Sequence, residues 1–151
     1  MRMLPAALAL LLLGAGPAAA ADQDDVMAAV GEFIHAINTG DRDELKNICA
    51  DQTSIIDEFP PHEWHGPSAC VQWMTDYEAD AKKNGITDGQ VTAGKPKHLQ
   101  VTRDRAYVVI PSEYSYRQGG KTVKEGGVLF TVALRKSEGK WRAVGWAWPK
   151  P

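Results

Sequence analysis

Residues 106–148 decide the fold of this chain, and their sequence is AYVVIPSEYSYRQGGKTVKEGGVLFTVALRKSEGKWRAVGWAW. Three runs in this segment are rich in β-branched and aromatic residues, and the turn sequences Gly119-Gly120 and Glu138-Gly139 separate the runs. The three runs are 106–116, 122–136 and 141–148. Runs of this kind joined by tight turns predict successive antiparallel strands, so the C-terminal part of the chain is expected to form a meander.

Three helices are predicted ahead of the meander. The first begins near Asp24 and carries apolar residues at helical spacing: Val26, Val30, Phe33, Ile34 and Ile37. Asp41 is the predicted N-cap of a second helix, with Glu44 three residues later as in a capping box. The third helix begins after residues 66–68 and ends at Asn84-Gly85.

Two short strands complete the pattern. Residues 53–59 are β-branched and apolar, and they stop at Pro60-Pro61, which cannot continue a strand ladder. Residues 97–102 form the other short run, whereas residues 86–94 favour no element. Helices that precede a meander predict an α+β fold rather than a parallel sheet with helices between its strands.

The first 21 residues have the parts of a secretory signal peptide. Met1-Arg2-Met3 supplies one positive charge, residues 4–13 are apolar, and small residues follow. The apolar run is shorter than the ~20 residues that a membrane-spanning helix needs. We expect cleavage after Ala20 or Ala21, which leaves residues 22–151 as one domain, released into the periplasm or outside the cell without membrane attachment.

The charge balance excludes two classes of partner. The whole chain has 17 basic and 19 acidic residues. Loss of Arg2 with the leader leaves 16 basic residues and a formal charge of −3. Because charges of both signs are mixed along the chain, the sequence predicts no basic face for nucleic acid and no polybasic patch for a membrane surface.

The two cysteines, Cys49 and Cys70, are expected to form a disulfide, since an exported protein folds in an oxidising compartment. Two buried free thiols are the alternative. Metal binding is disfavoured, because the pair lacks C-x-x-C spacing and no histidine lies near Cys49.

This order of elements resembles the nuclear transport factor 2-like fold, in its SnoaL-like branch. The residues that carry the resemblance are Ala36-x-Asn38-x-Gly40-Asp41, Asp57, Trp64-His65-Gly66, and Leu134-Arg135-Lys136 with Gly139-Lys140-Trp141-Arg142. The resemblance extends over almost all of the mature chain. It implies a cone-shaped, curved antiparallel sheet packed on the three N-terminal helices, as in cystatin-like proteins, with a pocket at the wide end. Some members of this family are enzymes, including ketosteroid isomerase and the SnoaL-type polyketide cyclases, and others only bind ligands or partners.

Asp57 is the candidate catalytic base. It ends an apolar strand and matches in position the general-base Asp of ketosteroid isomerase and SnoaL-like enzymes. Partial desolvation of its carboxyl by neighbouring aromatic rings would raise the pKa and suit it to accept a proton from a carbon acid. Alternatively, Asp57 only accepts hydrogen bonds from backbone amides at the end of the strand.

A base of this kind needs a hydrogen-bond donor for the substrate oxygen. Ketosteroid isomerase has a Tyr on its first helix, and this chain has none there. His35 lies between the apolar positions of that helix, as expected for a structural histidine. Tyr114 or a histidine is therefore the candidate donor, and the specific isomerase activity is disfavoured.

Aromatic and histidine side chains are the candidate ligand-binding residues. Those predicted at the walls or mouth of the pocket are His62, Trp64, His65, Trp73, Tyr77 and Trp141. The histidines at 62 and 65 lack helical i, i+4 spacing and a fourth ligand, so neither a metal site nor a cofactor is predicted.

The last strand, 141–148, alternates small residues with tryptophans. Regular alternation predicts that its small residues face the cavity together with Trp141, and that Trp146 and Trp148 lie on the outer face. The small residues are Ala143, Gly145 and Ala147. A second subunit often covers an exposed aromatic face, so a homodimer is expected, with packing inside one chain as the alternative.

Together these features predict an exported protein that binds a small, largely apolar organic molecule in its cone, with catalysis left open. One alternative is a cofactor-free isomerase, cyclase or hydrolase that uses Asp57 as general base. The other is a non-catalytic dimeric interaction module whose convex face recruits a partner.

Overall fold

A computed structural model describes residues 17–149 of the chain. Its helices are α1 (Pro17–Thr39), α2 (Arg42–Ile48) and α3 (Ala69–Lys83). Its strands are β1 (Cys49–Asp57), β2 (Glu63–Gly66), β3 (Ile86–Ala93), β4 (His98–Thr102), β5 (Arg105–Gln118), β6 (Lys121–Ser137) and β7 (Lys140–Trp148).

The predicted leader lies largely outside the described residues, since α1 begins at Pro17. The signal peptide therefore stays a prediction. None of the helices within residues 17–149 is both long and apolar enough to span a membrane.

All seven strands form one curved, unclosed sheet in the order β2-β1-β7-β6-β5-β3, and β4 also pairs with β5. Every pairing is antiparallel except that of β1 with β7, which is parallel and makes the sheet mixed. The predicted α+β fold is confirmed. The segment 86–94, for which the sequence favours no element, contains the whole of β3, and the segment around Trp64 forms the edge strand β2.

Register shifts interrupt the sheet where it bends around its concave side. In β3 the shift falls at Asp88-Gly89, and in β6 it falls at Gly126-Gly127 opposite β5. In β7, Ala143 and Gly145 pair with consecutive residues of β6, so Val144 is one extra residue. Bulges of this kind bend a strand and re-aim its side chains, and they are common beside binding sites.

The bulge at Val144 overturns one prediction. On the N-terminal side of the bulge, Trp141 and Ala143 are buried, as simple alternation predicts. Beyond it the faces exchange, so Trp146 is buried on the concave side and Trp148 lies there too. The prediction that Trp146 and Trp148 cover the outer face is therefore wrong, and the small residues of β7 do not line the cavity.

Short polar contacts fix the helices on the sheet. The Asp41 carboxylate caps α2 by accepting hydrogen bonds from the backbone amides of Asp43 and Glu44. Asn38, at the end of α1, donates to the carbonyl of Val91 at 2.9 Å and accepts from its amide at 2.7 Å. These two bonds hold the C-terminal end of α1 against β3, which sets the position of one wall of the cavity.

The disulfide predicted between Cys49 and Cys70 is present. It joins the start of β1 to the first turn of α3, and both residues are buried in the core. In the chain-entropy model, closing a loop of this length stabilises the fold by about 3 kcal/mol.

Candidate functional site

A cavity of about 80 Å³ lies between the helices and the concave face of the sheet. One water molecule needs only about 10–15 Å³ measured in this way, so the space admits a small molecule. Aromatic rings form much of the wall: Phe59, Trp73, Tyr77, Tyr114, Trp146 and Trp148. The polar side chains on the wall include Asn38, Asp57 and Glu58.

Asp57, the last residue of β1, is the only charged side chain that is buried within residues 17–149, at 8% exposure. Its Oδ2 accepts a hydrogen bond from the indole Nε1 of Trp73 at 2.8 Å. Its Oδ1 accepts one from the backbone amide of Glu58 at 2.6 Å. Asp57 thus does accept a backbone hydrogen bond at the strand end, and at the same time it borders the cavity.

Burial raises the pKa of Asp57 to about 6. The two hydrogen bonds from Trp73 and Glu58 oppose this rise because they favour the charged carboxylate, but desolvation is the larger effect. A carboxyl with this pKa exists in both protonation states near neutral pH. It can therefore accept a proton and return it without a large energetic cost in either direction.

Trp73 connects the carboxyl to the rest of the wall. Its ring stacks on that of Tyr77 with 5.6 Å between centroids and 11° between planes. Trp146 meets it edge-on at 4.8 Å, and Phe59 packs nearby at 6.2 Å. Because Trp73 and Tyr77 both lie on α3, one helix positions the group that holds Asp57 and a second polar group of the cavity.

The second polar group is a pair of phenol hydroxyls. The hydroxyl of Tyr77 on α3 contacts that of Tyr114 on β5 at 2.5 Å. Tyr114 also packs against Tyr116 at 5.0 Å, and the hydroxyl of Tyr116 donates to Glu125 at 2.9 Å. Burial raises the pKa of both Tyr77 and Tyr114, so both remain protonated at neutral pH.

The structure does not bring the segment around Trp64 to the cavity. Because β2 pairs with β1, alternation along β2 buries Trp64 and exposes its neighbours. Trp64 packs behind Phe59 at 5.1 Å and donates its indole N–H to Asp76. His62 and His65 are exposed, and their ring nitrogens lie near the carbonyl of Asp57 and the hydroxyl of Ser54, respectively.

Trp141 is also away from the cavity, although it was predicted in its wall. It is buried in the core at the far end of β7, where the ammonium of Lys136 lies 5.6 Å from its ring centroid. His35 is exposed on α1 and does not reach the site. Of the predicted site residues, the structure therefore brings together Asp57, Trp73, Tyr77 and Tyr114.

The cavity is also bordered by residues that the sequence patterns did not predict there, among them Gly89, Asn38, Trp146 and Trp148. The pair Asp88-Gly89 was a usable signal, because Gly within a strand pattern often marks a bulge or a close approach of the backbone to another group. No group of three or more potential metal ligands is found within residues 17–149.

A comparison with protein families agrees with this architecture. The family model described as the SnoaL-like domain matches residues 26–147. Comparison with curated protein sequences gives no significant match.

Solved structures of other proteins superpose on most of the chain. A nuclear transport factor 2-like superfamily protein from Salmonella enterica serovar Typhimurium has a TM-score of 0.71 and 14% identity, over 87% of this chain and 92% of that one. A type 2 hexachlorocyclohexane dehydrochlorinase has a TM-score of 0.71 and 10% identity, over 86% of this chain and 85% of that one. A protein with a cystatin-like fold from Novosphingobium aromaticivorans has a TM-score of 0.70 and 14% identity, over 85% of this chain and 81% of that one.

At these identities the solved structures show the fold alone, whereas the family model spans most of the sequence. The chain therefore belongs to the family of SnoaL-like domain proteins, which have the nuclear transport factor 2-like fold.

Proposed function

We propose that this protein binds a small, largely apolar organic molecule in the cavity around Asp57. The observation that carries the proposal is a buried carboxyl on the wall of an open, aromatic space rather than in a filled core. Apolar walls with a few convergent polar groups are typical of small-molecule sites. A carboxyl with a pKa raised by burial is an additional mark of such sites.

Two probes of the same shape test the binding proposal: acetophenone and α-methylstyrene, in which a C=CH₂ group replaces the C=O. Trp73, Trp146 and Trp148 border the cavity, so binding is expected to change the intrinsic tryptophan fluorescence. We expect both probes to bind. Val91→Trp places a large ring in the cavity and should abolish binding of both.

Val71→Phe is the matched control, because it also enlarges a valine, but on the face of α3 that lies against the outer groove beside Trp64. It should leave the affinity unchanged. If the wild-type protein binds neither probe, the result counts against the proposal. The same holds if Val91→Trp binds the probes as tightly as the wild-type protein does.

A second candidate function is proton transfer, with Asp57 as general base. The observation that favours it is the pKa of Asp57, about 6, at the wall of the cavity. One protein of the same fold is named as a hexachlorocyclohexane dehydrochlorinase, so at least one protein with this fold is named as an enzyme. In the proposed step the C–H bond next to a carbonyl breaks, its proton moves to the Asp57 carboxylate, and its electron pair forms an enolate whose charge lies on oxygen.

Deuterium exchange tests this step. In D₂O the methyl group of acetophenone should gain deuterium faster with the protein than without it, and the rate should rise with pH through about 6 as the carboxylate forms. Asp57→Asn should remove the acceleration, whereas Asp51→Asn, an exposed carboxyl earlier on the same strand, should keep it. Undiminished exchange with Asp57→Asn would remove Asp57 from the reaction.

We further propose that the protein acts outside the cytoplasm and as a homodimer. Export rests on the predicted leader together with the internal disulfide, which oxidising compartments favour. The dimer rests on the convex face of the sheet. The exposed large apolar residues of the described chain all lie there, each between buried neighbours on its strand: Ile56, Tyr107 and Leu129.

A second copy can cover these side chains, since exposed apolar surface often marks an interface. Leu129→Asp should convert the dimer to a monomer in sedimentation velocity experiments. A wild-type protein that sediments as a monomer at micromolar concentration would contradict this part of the proposal.

A further inference from the structure

We infer that the convex face of the sheet binds a phosphate group, and that three arginines on neighbouring strands hold it. These residues, here called the arginine row, are Arg105, Arg135 and Arg142. Because the row lies on the opposite side of the sheet from the cavity, this inference does not depend on the proposed function.

Strand pairing brings the three arginines together. Arg135 on β6 pairs with Arg105 on β5 and, on its other side, with Arg142 on β7. Residues directly opposite each other in antiparallel strands project from the same face, with their Cβ atoms about 5 Å apart. A neighbour of each arginine along its strand is buried in the core. The arginines therefore project from the other, convex face.

The row places like charges directly opposite each other, an arrangement that destabilises a sheet. Within residues 17–149 only Arg105 of the row has an ion pair, in which its Nε lies 3.5 Å from the exposed carboxylate of Asp104. The Nε of Arg142 donates to the carbonyl of Asn47 at 3.1 Å. Arg135, in the middle, has neither a hydrogen bond nor an ion pair among the described residues. Most guanidinium N–H groups of the row are therefore free to donate to a bound anion.

The surrounding surface adds one more cation and two hydroxyl donors. Lys140 and Ser137 are opposite each other two residues beyond the row, so they project from the same face. Thr102 on β4 pairs with Arg105 and ends the row. Glu138 lies in the turn between β6 and β7 and forms no ion pair with the row. The positions two residues further along β4, β5 and β6 on this face are neutral: Gln100, Tyr107 and Ala133.

The number of arginines favours phosphate over carboxylate. The planar guanidinium group forms paired hydrogen bonds with two oxygens of either anion. A carboxylate has only two oxygens and one charge. A phosphate monoester has three terminal oxygens and nearly two negative charges at neutral pH, so it can accept hydrogen bonds from all three arginines.

The arginine row lies beside the apolar residues that are proposed to form the dimer contact. Tyr107 is two residues from Arg105 on β5, whereas Leu129 is six residues from Arg135 on β6, a distance of about 20 Å. The row therefore lies at the margin of that contact, and one copy of the chain holds the whole site. Arg135→Gln should leave the sedimentation coefficient unchanged. Dissociation of the dimer by Arg135→Gln, with no phosphate bound by the wild-type protein, would assign the row to the dimer contact and overturn the inference.

Titration calorimetry with inorganic phosphate at constant ionic strength measures binding directly. Arg135→Gln removes the central guanidinium and should weaken phosphate binding about tenfold or more, as expected for the loss of charge-assisted hydrogen bonds. Arg117→Gln is the matched control, because it removes the same charge at the other end of β5, where both paired residues are threonines. It should bind phosphate as the wild-type protein does. Acetate should bind more weakly than phosphate, and equal affinities would contradict the assignment to phosphate.

Thermal and urea unfolding separate this site from the general effect of salt on stability. Without phosphate, Arg135→Gln should be at least as stable as the wild-type protein, because the row loses its central repulsive charge. Millimolar phosphate should raise the melting temperature of the wild-type protein and of Arg117→Gln more than that of Arg135→Gln. Phosphate also stabilises proteins by exclusion from their surface. Equal stabilisation of all three proteins would therefore refute the site.

Two further probes distinguish the source of the phosphate group. Glycerol 3-phosphate represents a soluble ester, and phosphatidylcholine vesicles that contain phosphatidic acid represent a lipid headgroup. Vesicle binding that inorganic phosphate displaces would support the site and assign it to a lipid, whereas binding of the soluble phosphates alone would support the site and assign it to a soluble molecule. If the wild-type protein binds none of these probes, the inference is overturned.

Discussion

Replacing Asp57 with Asn is expected to change how the stability of this protein depends on pH. The pKa of Asp57 is about 6 in the folded protein, above its ordinary value of 3.8, because the carboxyl is buried. A folded state that holds its proton more tightly than the unfolded state is most favoured at low pH. The contribution of Asp57 to stability is therefore fully present below pH 4 and is lost as the pH rises to 6 and above.

The magnitude follows from the size of the shift. Each pKa unit corresponds to about 1.4 kcal/mol, so a shift of about two units makes the ionised carboxyl cost about 3 kcal/mol at neutral pH. Asn carries no charge and avoids this cost. However, its side chain cannot accept hydrogen bonds at both positions, so either Trp73 or the Glu58 amide loses its acceptor. Such a loss costs about 1–3 kcal/mol at every pH.

The cost of ionising the buried carboxyl depends on pH, whereas the loss of one hydrogen-bond acceptor does not, so a pH series separates the two effects. Asp57→Asn should be less stable than wild type at pH 4. Relative to wild type it should then gain about 2–3 kcal/mol between pH 4 and pH 8. Urea unfolding followed by tryptophan fluorescence at intervals of one pH unit measures the difference, in which the titration of all other groups cancels.

Asp51→Asn is the matched control, since Asp51 is exposed on the same strand. Its free energy of unfolding should stay within about 0.5 kcal/mol of wild type throughout. A stability difference between Asp57→Asn and wild type that is constant from pH 4 to pH 8 would contradict this prediction, because it would mean that the Asp57 pKa is the same in the folded and unfolded states.

Three further predictions concern the fold and its export. Reduction of the Cys49–Cys70 disulfide should lower the free energy of unfolding by about 3 kcal/mol, and a melting temperature unaffected by reductant would contradict this. Asp41→Ala removes the cap of α2 and should cost about 1 kcal/mol in urea unfolding, whereas the exposed Asp43→Ala should cost less; equal losses would contradict a capping role. The intact mass of the exported protein should correspond to a chain that begins at Ala21 or Asp22, and a secreted chain that keeps Met1 would exclude the predicted leader.

Local sequence patterns predicted the fold well because each element carries its own signal. The runs of β5, β6 and β7 are long and β-branched, and Asp41 sits at the N-cap position that it occupies in the structure. β3 was missed because Asp88-Gly89 interrupts its pattern, and the interruption is the bulge that admits the two tyrosines. The same local irregularity that hides the strand from sequence analysis shapes the site.

The faces of β7 could not be predicted for a related reason. Alternation holds only while the register is regular, and one extra residue at Val144 moves Trp146 and Trp148 to the other face. Gly145 within the strand pattern is the same kind of signal as Gly89, but the position of the extra residue depends on how β7 pairs with β6 and β1. The positions of His62 and His65 likewise depend on the pairing of β2 with β1, a contact between segments that no local pattern specifies.

Asp57 and Tyr114 were predicted at the site from the family resemblance and from strand position, and the structure places both on the cavity wall. The pairing of Tyr114 with Tyr77 was not predicted. It requires α3 to lie where the Tyr77 hydroxyl reaches Tyr114 on β5, and that geometry follows from the packing of the whole core rather than from either segment alone.

A crystal structure of the protein grown with acetophenone would show whether the cavity around Asp57 holds a small molecule. We expect electron density for the probe inside the cavity, in contact with the Trp73 ring and beside the Asp57 carboxyl. A cavity filled by side chains, an Asp57 carboxyl turned toward bulk water, or density for the probe only elsewhere on the molecule would contradict it.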